Sequence, residues 1–504
     1  MNNFDLDRSL IELASREGNS RWTIRSAVEG TQIFGGIGSG KTSGSGRMIA
    51  IKYLKAGFGG LVLTVKPDEK EMWQQLCRIS GRSNDLVIIE PGGEHYFNFL
   101  DYESGPKIRG AALTENIVQV LKTVIRAGEE QSAGKSDDPF WEKALDMLIF
   151  NVIDLCQLAY EKLSVQSMYD IATAIPKINE DGTMRYTGEE SNAYYQAITA
   201  AKDNIVSKMD HWYSSKSFEE RSAIDAGQSF EAAFFEKVPQ ARLYKFVEQF
   251  FSDNFIPLSE KTRSIIDFTF SGFLFRLLRD PVYTLFCDKK STVTPQDSLN
   301  GKIILIDLPI KIYHKVGRDC QILFKYIWQR AMEQRDVRLN DRPVFLWADE
   351  AQNFIHEHDA DFQATARSSR VATVYISQNL PNYYACMGGS KAEFKVKSFL
   401  GTLATKIFHA NADIETNRYG SELIGDTFFE DQSESVTYAQ NFSQTRGKSL
   451  KLERAVRQEE FVSLKTGGPA NKYYVEGYFH RQGDLLFQGR NYTKMSFNQN
   501  YNPL

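Results

Sequence analysis

The chain has 504 residues, a formal charge of -4, and hydrophobic and charged fractions of 42% and 25%, the profile of a globular protein with room for two or three domains. So small a net charge provides no bulk attraction to nucleic acid, and any such contact must come from local basic patches. Five cysteines, Cys77, Cys156, Cys287, Cys320 and Cys386, show no CxxC or Cys/His ligand spacing, which argues against a structural zinc and suits a reducing compartment.

The opening residues, Met1-Asn2-Asn3-Phe4-Asp5, lack the basic and apolar regions of a secretory signal. The most apolar helical stretch, Met147 to Tyr160, is interrupted by Asn151 and Asp154 and falls short of the ~20 apolar residues that a spanning helix requires. The expectation is a cytoplasmic chain with no transmembrane segment of its own.

The first strong motif follows the strand end Ile33-Phe34. Gly35-Gly36-Ile37-Gly38-Ser39-Gly40-Lys41-Thr42 matches GxxxxGK[ST], in which glycines let backbone amides face phosphate oxygens. The lysine neutralises the β and γ phosphates and the threonine hydroxyl ligates magnesium. Residues Gly35 to Thr42, with the adjoining Ser43, are the candidate nucleotide-binding set, and ATP and Mg2+ are the implied cofactors. Met48 to Leu54 is expected as the helix that this motif precedes.

Near-continuous apolar runs follow at Gly60 to Val65, Asp85 to Ile89, Lys302 to Asp307, Val344 to Ala348 and Val371 to Ile376. Such runs are the signature of a mostly parallel sheet covered on both faces, hence an α/β core. Between Tyr102 and Leu258 the pattern turns helical, as in Trp141 to Phe150, which predicts an all-helical domain (102–258) inserted between two parts of the core (1–101 and 259–504). Asp181-Gly182-Thr183 and Thr187 to Glu190 read as exposed turns within it, and the polar segment Asp431 to Lys448 as a loop. Lys472 to Phe479 and Leu485-Leu486-Phe487 are expected to close the sheet edge.

Val344 to Ala348 ends in Asp349-Glu350, at the edge where α/β sheets bind ligands. Asp349 suits magnesium, and Glu350 suits polarising an attacking water, alongside Lys41. The alternative is that the two acids only cap the next helix. Gln378, after Val371 to Ile376, suits sensing the γ-phosphate or orienting water, or is a strand-end turn residue. His356-Glu357-His358-Asp359 lacks the spacing of a zinc motif and reads as a solvated loop. The aromatic helix Phe230 to Phe251 offers rings for base stacking, but its spacing favours core packing.

The P-loop, Asp349-Glu350 and Gln378, with Pro139-Phe140-Trp141, Gly301 to Leu305, Glu415-Thr416, Leu423-Ile424-Gly425 and Phe461 to Gly467 in the same order, resemble the type IV secretion and conjugation coupling proteins. These are the TraG/TraD-like branch of the FtsK/HerA-type P-loop ATPases, and the resemblance spans about residues 25 to 490. It implies a RecA-like nucleotide domain with an inserted all-helical domain, a homo-oligomeric and usually hexameric ring, and ATP hydrolysis coupled to translocation. It also implies DNA with a bound relaxase, or a secreted protein, as cargo, and components of the secretion channel as partners. Arg367 lies where the family carries an arginine that acts on the neighbouring subunit's nucleotide, with Arg370 the other candidate; either reads equally as a solvated loop charge. Two features depart from the family. Transmembrane helices are missing, so attachment to the inner face of the bacterial plasma membrane would come from partners. Lys66-Pro67-Asp68-Glu69 matches the family's Asp-Pro-Lys-Gly-Glu only loosely. An ATP-gated adaptor with little turnover, and a soluble DNA-translocating ATPase of genome processing or phage defence, are the competing functions.

Overall fold

The computed structural model describes residues 4–13, 20–105, 114–130, 139–160, 162–178, 184–185, 191–226, 230–389, 391–438, 442–483 and 489–501. The strands in chain order begin with the antiparallel pair β1 (Ser9–Leu13) and β2 (Ser20–Thr23), followed by β3 (Thr31–Phe34), β4 (Gly59–Leu63) and β5 (Leu86–Ile89). A two-residue pair, β6 (Lys177–Ile178) and β7 (Met184–Arg185), lies among helices. Then come β8 (Ile303–Ile306), β9 (Val344–Ala348), β10 (Val371–Ser377) and β11 (Thr405–His409). The hairpin β12 (Asp426–Tyr438) and β13 (Phe442–Arg454) precedes β14 (Tyr474–Arg481) and β15 (Tyr492–Asn498).

Nine of these form one sheet in the order β15-β14-β11-β3-β10-β9-β4-β8-β5. The pairs from β11 through β3, β10, β9 and β4 to β8 are parallel, and β14 and β15 extend the β11 side antiparallel. This is the α/β, RecA-like arrangement with a mostly parallel sheet. Every residue of β3, β8, β9, β10 and β11 is buried, because both faces of a parallel sheet are roofed by its crossover helices.

The chain divides into two compact units, one of residues 1–88, 295–313 and 327–504, the other of 89–294 and 314–326. In the first, alternation along β9 sends Phe345 and Trp347 to one face, where Trp73 of the helix Glu69–Ile79 meets both rings, at 5.6 Å and 5.3 Å. Tyr53 of the helix Arg47–Lys55 packs on Phe345 and on Trp22 of β2.

The second unit is mainly helical. Pro139–Ala159 packs against Thr114–Glu130 and Ala193–Ser214, and Val165–Ala174 against Glu260–Leu277. Side chains of Ser164, Asn192 and Ser259 close three of these helices at their N-termini by accepting from exposed amides. Arg263 is buried, its guanidinium donating to the carbonyls of Ile175 and Pro176 and lying 4.6 Å from the centre of the Phe255 ring.

Three local expectations change. Residues 431–438 and 442–448 are paired strand of β12 and β13 rather than loop. Phe230 to Phe251 is broken at Val238-Pro239 into Phe230–Lys237 and Pro239–Gln249, because proline is accepted at a helix start and not inside one; Phe234 and Phe251 are buried and Phe246 is exposed. His356 and Asp359 are buried rather than solvated, with Gln329 Nε2 donating to Asp359 Oδ1 at 2.8 Å. The final strand is Tyr492–Asn498, while Leu485 to Phe487 and the turns at 181–183 and 187–190 lie outside the described residues. Among the described residues no helix is long and apolar enough to cross a membrane.

Phe345→Ala removes the ring on which Trp73 and Tyr53 pack, and is expected to destabilise the first unit by about 3–5 kcal/mol. Urea unfolding followed by tryptophan fluorescence checks this, and an unchanged midpoint would show that the stack is dispensable.

Candidate nucleotide site

The loop after β3 is held between two neighbouring strand ends: Gly35 N donates to Ser377 O at 3.3 Å and Gly36 N to Ala410 O at 2.8 Å. Gly38 and Gly40 take φ of +70° and +78°, which glycine adopts without the clash a side chain meets. At Gly40 a Cβ would also lie 2.4 Å from Val475, so the loop turns inward only with glycine there. Past Lys41 the chain enters a wide π-type turn, Gly46 N donating to Lys41 O at 2.9 Å, and runs into the helix Arg47–Lys55. Turn and helix together begin at the loop, so that their positive dipole end faces it.

Opposite it, Asp349 ends β9, and Thr42 Oγ1 donates to Asp349 Oδ2 at 2.7 Å. Glu350 follows with φ +50°, a left-handed conformation rare for a side-chain-bearing residue and found where structure constrains a functional group. Its carboxylate lies 3.8 Å from Lys41 Nζ and 3.9 Å from Lys66 Nζ. Gln378 Nε2 donates to Glu350 at 3.3 Å and Gln352 Nε2 at 2.9 Å, while Asn411 Nδ2 donates to the Gln378 carbonyl at 2.8 Å. Lys41, Thr42, Asp349, Glu350 and Gln378 therefore converge on one sheet edge. Ser39 and Ser43 flank the same loop, and Ile37 is exposed at its tip.

Arg367 does not join them. It sits just before β10, at the edge where the parallel strands begin, whereas the loop lies where they end; its half-exposed side chain is 3.4 Å from Glu29, just before β3. Arg370 is engaged within the fold, donating to the Asp341 and Phe4 carbonyls at 2.8 and 2.9 Å.

Burial is the largest influence on the site's acids. It raises the Asp349 pKa, against the opposing pull of Lys66 and the Thr42 hydroxyl. At Glu350 burial also pushes upward, but the amides of Gln352 and Gln378 with the Lys41 and Lys66 ammoniums outweigh it and hold the carboxylate low, hence ionised. Burial and the Asp349 charge push Glu69 up to about 8. Lys66 is raised because Asp349, Glu350, Glu69 and Asp68 together overcome its desolvation.

Lys66 and Glu69 follow β4 at the same edge, in the segment that matches the family's Asp-Pro-Lys-Gly-Glu only loosely and was given no role from the sequence. Other neighbours escaped sequence reasoning. His409, buried beneath the loop, has its Nδ1 2.8 Å from the Glu476 carbonyl, which can only accept, so Nδ1 carries the hydrogen and Nε2 accepts from Ser45 Oγ at 2.7 Å. Gln499 donates to Ser43 Oγ at 2.7 Å and accepts from Gly468 N at 2.8 Å. Nothing in the sequence relates it to a loop so far upstream. A cleft of about 410 Å³ lies over Gly38 to Ser43, walled by Arg47, Lys66, Glu69, Met72, Asp349 and Gln499.

A parallel sheet, a glycine loop entering a helix at its edge, and an acid just past the end of β9, with one strand between it and the loop's own, define the P-loop NTPase fold. Residues 343–465 match the family model described as the TraM recognition site of TraD and TraG. The fold is similar to that of the bacterial conjugative coupling protein TrwBdeltaN70 in its unbound monoclinic form, at 13% identity and a TM-score of 0.58 over 94% of this chain and 86% of that one. The plasmid coupling protein TrwB in complex with ADP and Mg2+ matches at 13% identity and a TM-score of 0.57, over 95% and 87%. Its complex with a non-hydrolysable ATP analogue matches at 14% identity and a TM-score of 0.56, over 95% and 88%. No curated protein matches the sequence. The resemblance to conjugation coupling proteins thus rests on a sequence segment carrying β9 to β13 and on the fold of nearly the whole chain.

His409 has a folded pKa of about 4 against 6.5 for a free imidazole, because burial penalises its charged form. The unfolded chain then binds more protons between these values, so stability falls as pH drops from about 6.5 toward 4. His480 is lowered in the same direction. Replacing His409 with Gln is expected to reduce the pH slope of the urea midpoint by about one proton, and an unchanged slope would show that His409 titrates normally in the fold.

Proposed function

We propose that the protein is an ATP-hydrolysing coupling protein, which recruits DNA with its bound relaxase, or a secreted protein, and drives it toward a type IV secretion or conjugation channel. The observation that carries this is the convergence of Lys41, Thr42, Asp349, Glu350 and Gln378 at one sheet edge, in a fold shared with coupling proteins. Its place of action would be the inner face of the bacterial plasma membrane.

The residues fit ATP with Mg2+. The loop leaves Gly38 open and Ser39 Oγ buried without a partner among the described residues, which suits a phosphate-lined cleft. Magnesium would be held jointly by phosphate oxygens, a hydroxyl and one carboxylate. When bound, the ion would neutralise charge developing on the phosphates. Thr42 and Asp349 would hold it, and Lys41 would set its ammonium against the β and γ phosphates. Glu350, kept ionised by its amide donors, would accept the proton of the attacking water, and Gln378 would orient that water. The same Gln378 contact with Glu350 gives the site a way to register the γ-phosphate.

Glu350→Gln is expected to bind a fluorescent ATP analogue like the parent while turnover falls by about 100-fold or more, the range for loss of a general base. Lys41→Ala should weaken binding itself. Single-stranded DNA should stimulate the parent. Near-normal turnover in Glu350→Gln removes its assigned role, and turnover that is negligible and indifferent to DNA favours an adaptor.

The working unit is a homo-oligomeric, hexameric ring in which Arg367 serves the nucleotide of the adjacent subunit. Two observations support it over Arg370: Arg367 stands at the sheet edge away from its own loop with its head group accessible, and Arg370 is occupied within the fold. Mixing inactive Lys41→Ala with inactive Arg367→Ala chains should restore part of the turnover, since some interfaces then join an intact loop to an intact arginine. Full activity of Arg367→Ala alone would rule the residue out.

A further inference from the structure

The hairpin β12–β13 is the longest two-stranded sheet among the described residues. Each strand is thirteen residues long, paired in unbroken register from Asp426↔Arg454 to Tyr438↔Phe442. Among the described residues neither strand pairs with any other. A two-stranded ribbon alone in water is marginal at best, and its outer edges present rows of unmatched amides and carbonyls. Proteins normally blunt such edges with bulges, prolines or short strands, and the described register contains no bulge.

Side chains near the base of the hairpin indicate what completes it. Phe428, Leu450 and Leu452 are 67%, 69% and 58% exposed, and the pairings Phe428↔Leu452 and Glu430↔Leu450 set all three on one face. Charge is segregated by strand. Among the described side chains, β12 carries Asp426, Glu430 and Asp431 with no cation, whereas β13 carries Lys448, Lys451 and Arg454, with Glu453 the single acid. Within the hairpin these already pair, Arg454 with Asp426 at 2.9 Å and Lys448 with Glu430 at 3.7 Å.

We propose that the β12 edge of one copy of this chain pairs with the β13 edge of the next, so that hairpins of successive subunits join into one continuous antiparallel sheet. Three features converge on a second copy, joined head to tail. An acidic strand meeting a basic one repeats between chains the pairing found within each hairpin, whereas β12 against β12 or β13 against β13 would set like charges opposite each other. Copies related by rotation keep their hairpins pointing the same way, which makes every β13-to-β12 junction antiparallel without rearrangement. A contact between two different edges is heterologous, and a heterologous contact closes into a ring where the rotation permits. The exposed apolar face would then run continuously around the assembly. This inference rests on the ring reading above and names the segment that closes the ring.

Charge exchange tests it without assuming a register. In one full-length variant Asp426, Glu430 and Asp431 become Lys; in a second, Lys448, Lys451 and Arg454 become Glu; a third carries both sets. Light scattering with a non-hydrolysable ATP analogue and Mg2+ reads assembly, and binding of the analogue reports that each variant folds. Either single-strand variant alone is expected to need about tenfold or more protein to assemble, because the two meeting edges then carry like charge. Mixing the two variants, or exchanging both sets in one chain, should restore assembly. If the parent assembles and the single-strand variants assemble equally well, hairpin pairing is wrong while the ring reading survives. If the variants bind nucleotide but neither the mixture nor the double exchange recovers, complementarity between chains is overturned. Loss of DNA binding in the second variant with assembly intact would reassign the hairpin to nucleic acid. A parent that stays monomeric at every concentration removes the ring reading itself.

Discussion

The geometry of the site depends on how the phosphate-binding loop is clamped at its root. β3 lies between β10 and β11, and the first two amides beyond it, Gly35 and Gly36, donate to the carbonyls of Ser377 and Ala410 at the ends of those strands. Both bonds form in a buried setting, where an unmatched amide would carry a substantial penalty. The loop therefore leaves the sheet at a defined angle and presents Lys41 and Thr42 to the end of β9, one strand beyond β10. Gly40 makes the turn possible by allowing Val475 of β14 to pack against the loop.

Around this root the polar contacts form a connected set. Asp349 reaches Thr42, Glu350 faces Lys41, Lys66 and Gln378, and Asn411 fixes the backbone of Gln378. On the far side, His409 links Ser45 to the backbone of β14, and Gln499 links Ser43 to Gly468. The loop is thus tied to strands on both sides and to the final strand's end. A change at the nucleotide would be felt at β14 and β15 as well as at β9 and β10. The negative groups are not equivalent. Asp349, nearly enclosed, gains its partners from a hydroxyl and a lysine, while Glu350 is surrounded by donors that keep it charged.

Much of the architecture was legible because parallel strands buried on both faces leave long apolar runs, and β4, β8, β9 and β10 all do; β5, half-buried at the sheet edge, was legible from its apolar run alone. β11 was missed. Its sequence, Thr405-Lys406-Ile407-Phe408-His409, has only two apolar residues in a row, flanked by polar ones, yet every one is buried. Lys406 is kept inside by donating to the Leu403 carbonyl, and burial lowers its pKa to about 8. A lysine in such a run reads as surface until the fold supplies its partner. The β12–β13 hairpin was missed for a related reason: serine, glutamine and threonine read as loop, and only cross-strand pairing makes strands of them.

What the sequence determined by itself was chemistry that is local along the chain: the glycine loop with its lysine and threonine, the acids closing an apolar strand, and the parallel α/β core implied by runs of β-branched residues. These follow from steric and hydrophobic rules that act within a few residues. Only the tertiary structure decided which distant groups meet. It brought Lys66 and Glu69 beside Asp349, set His409 beneath the loop and Gln499 above it, held Arg370 with Asp341, and left Arg367 accessible at the opposite sheet edge. The physical reason is that such contacts depend on strand order. A nine-stranded sheet arranged as β15-β14-β11-β3-β10-β9-β4-β8-β5 joins residues hundreds of positions apart, and the polar side chains at its edge carry no periodic signal that announces the neighbours they will have.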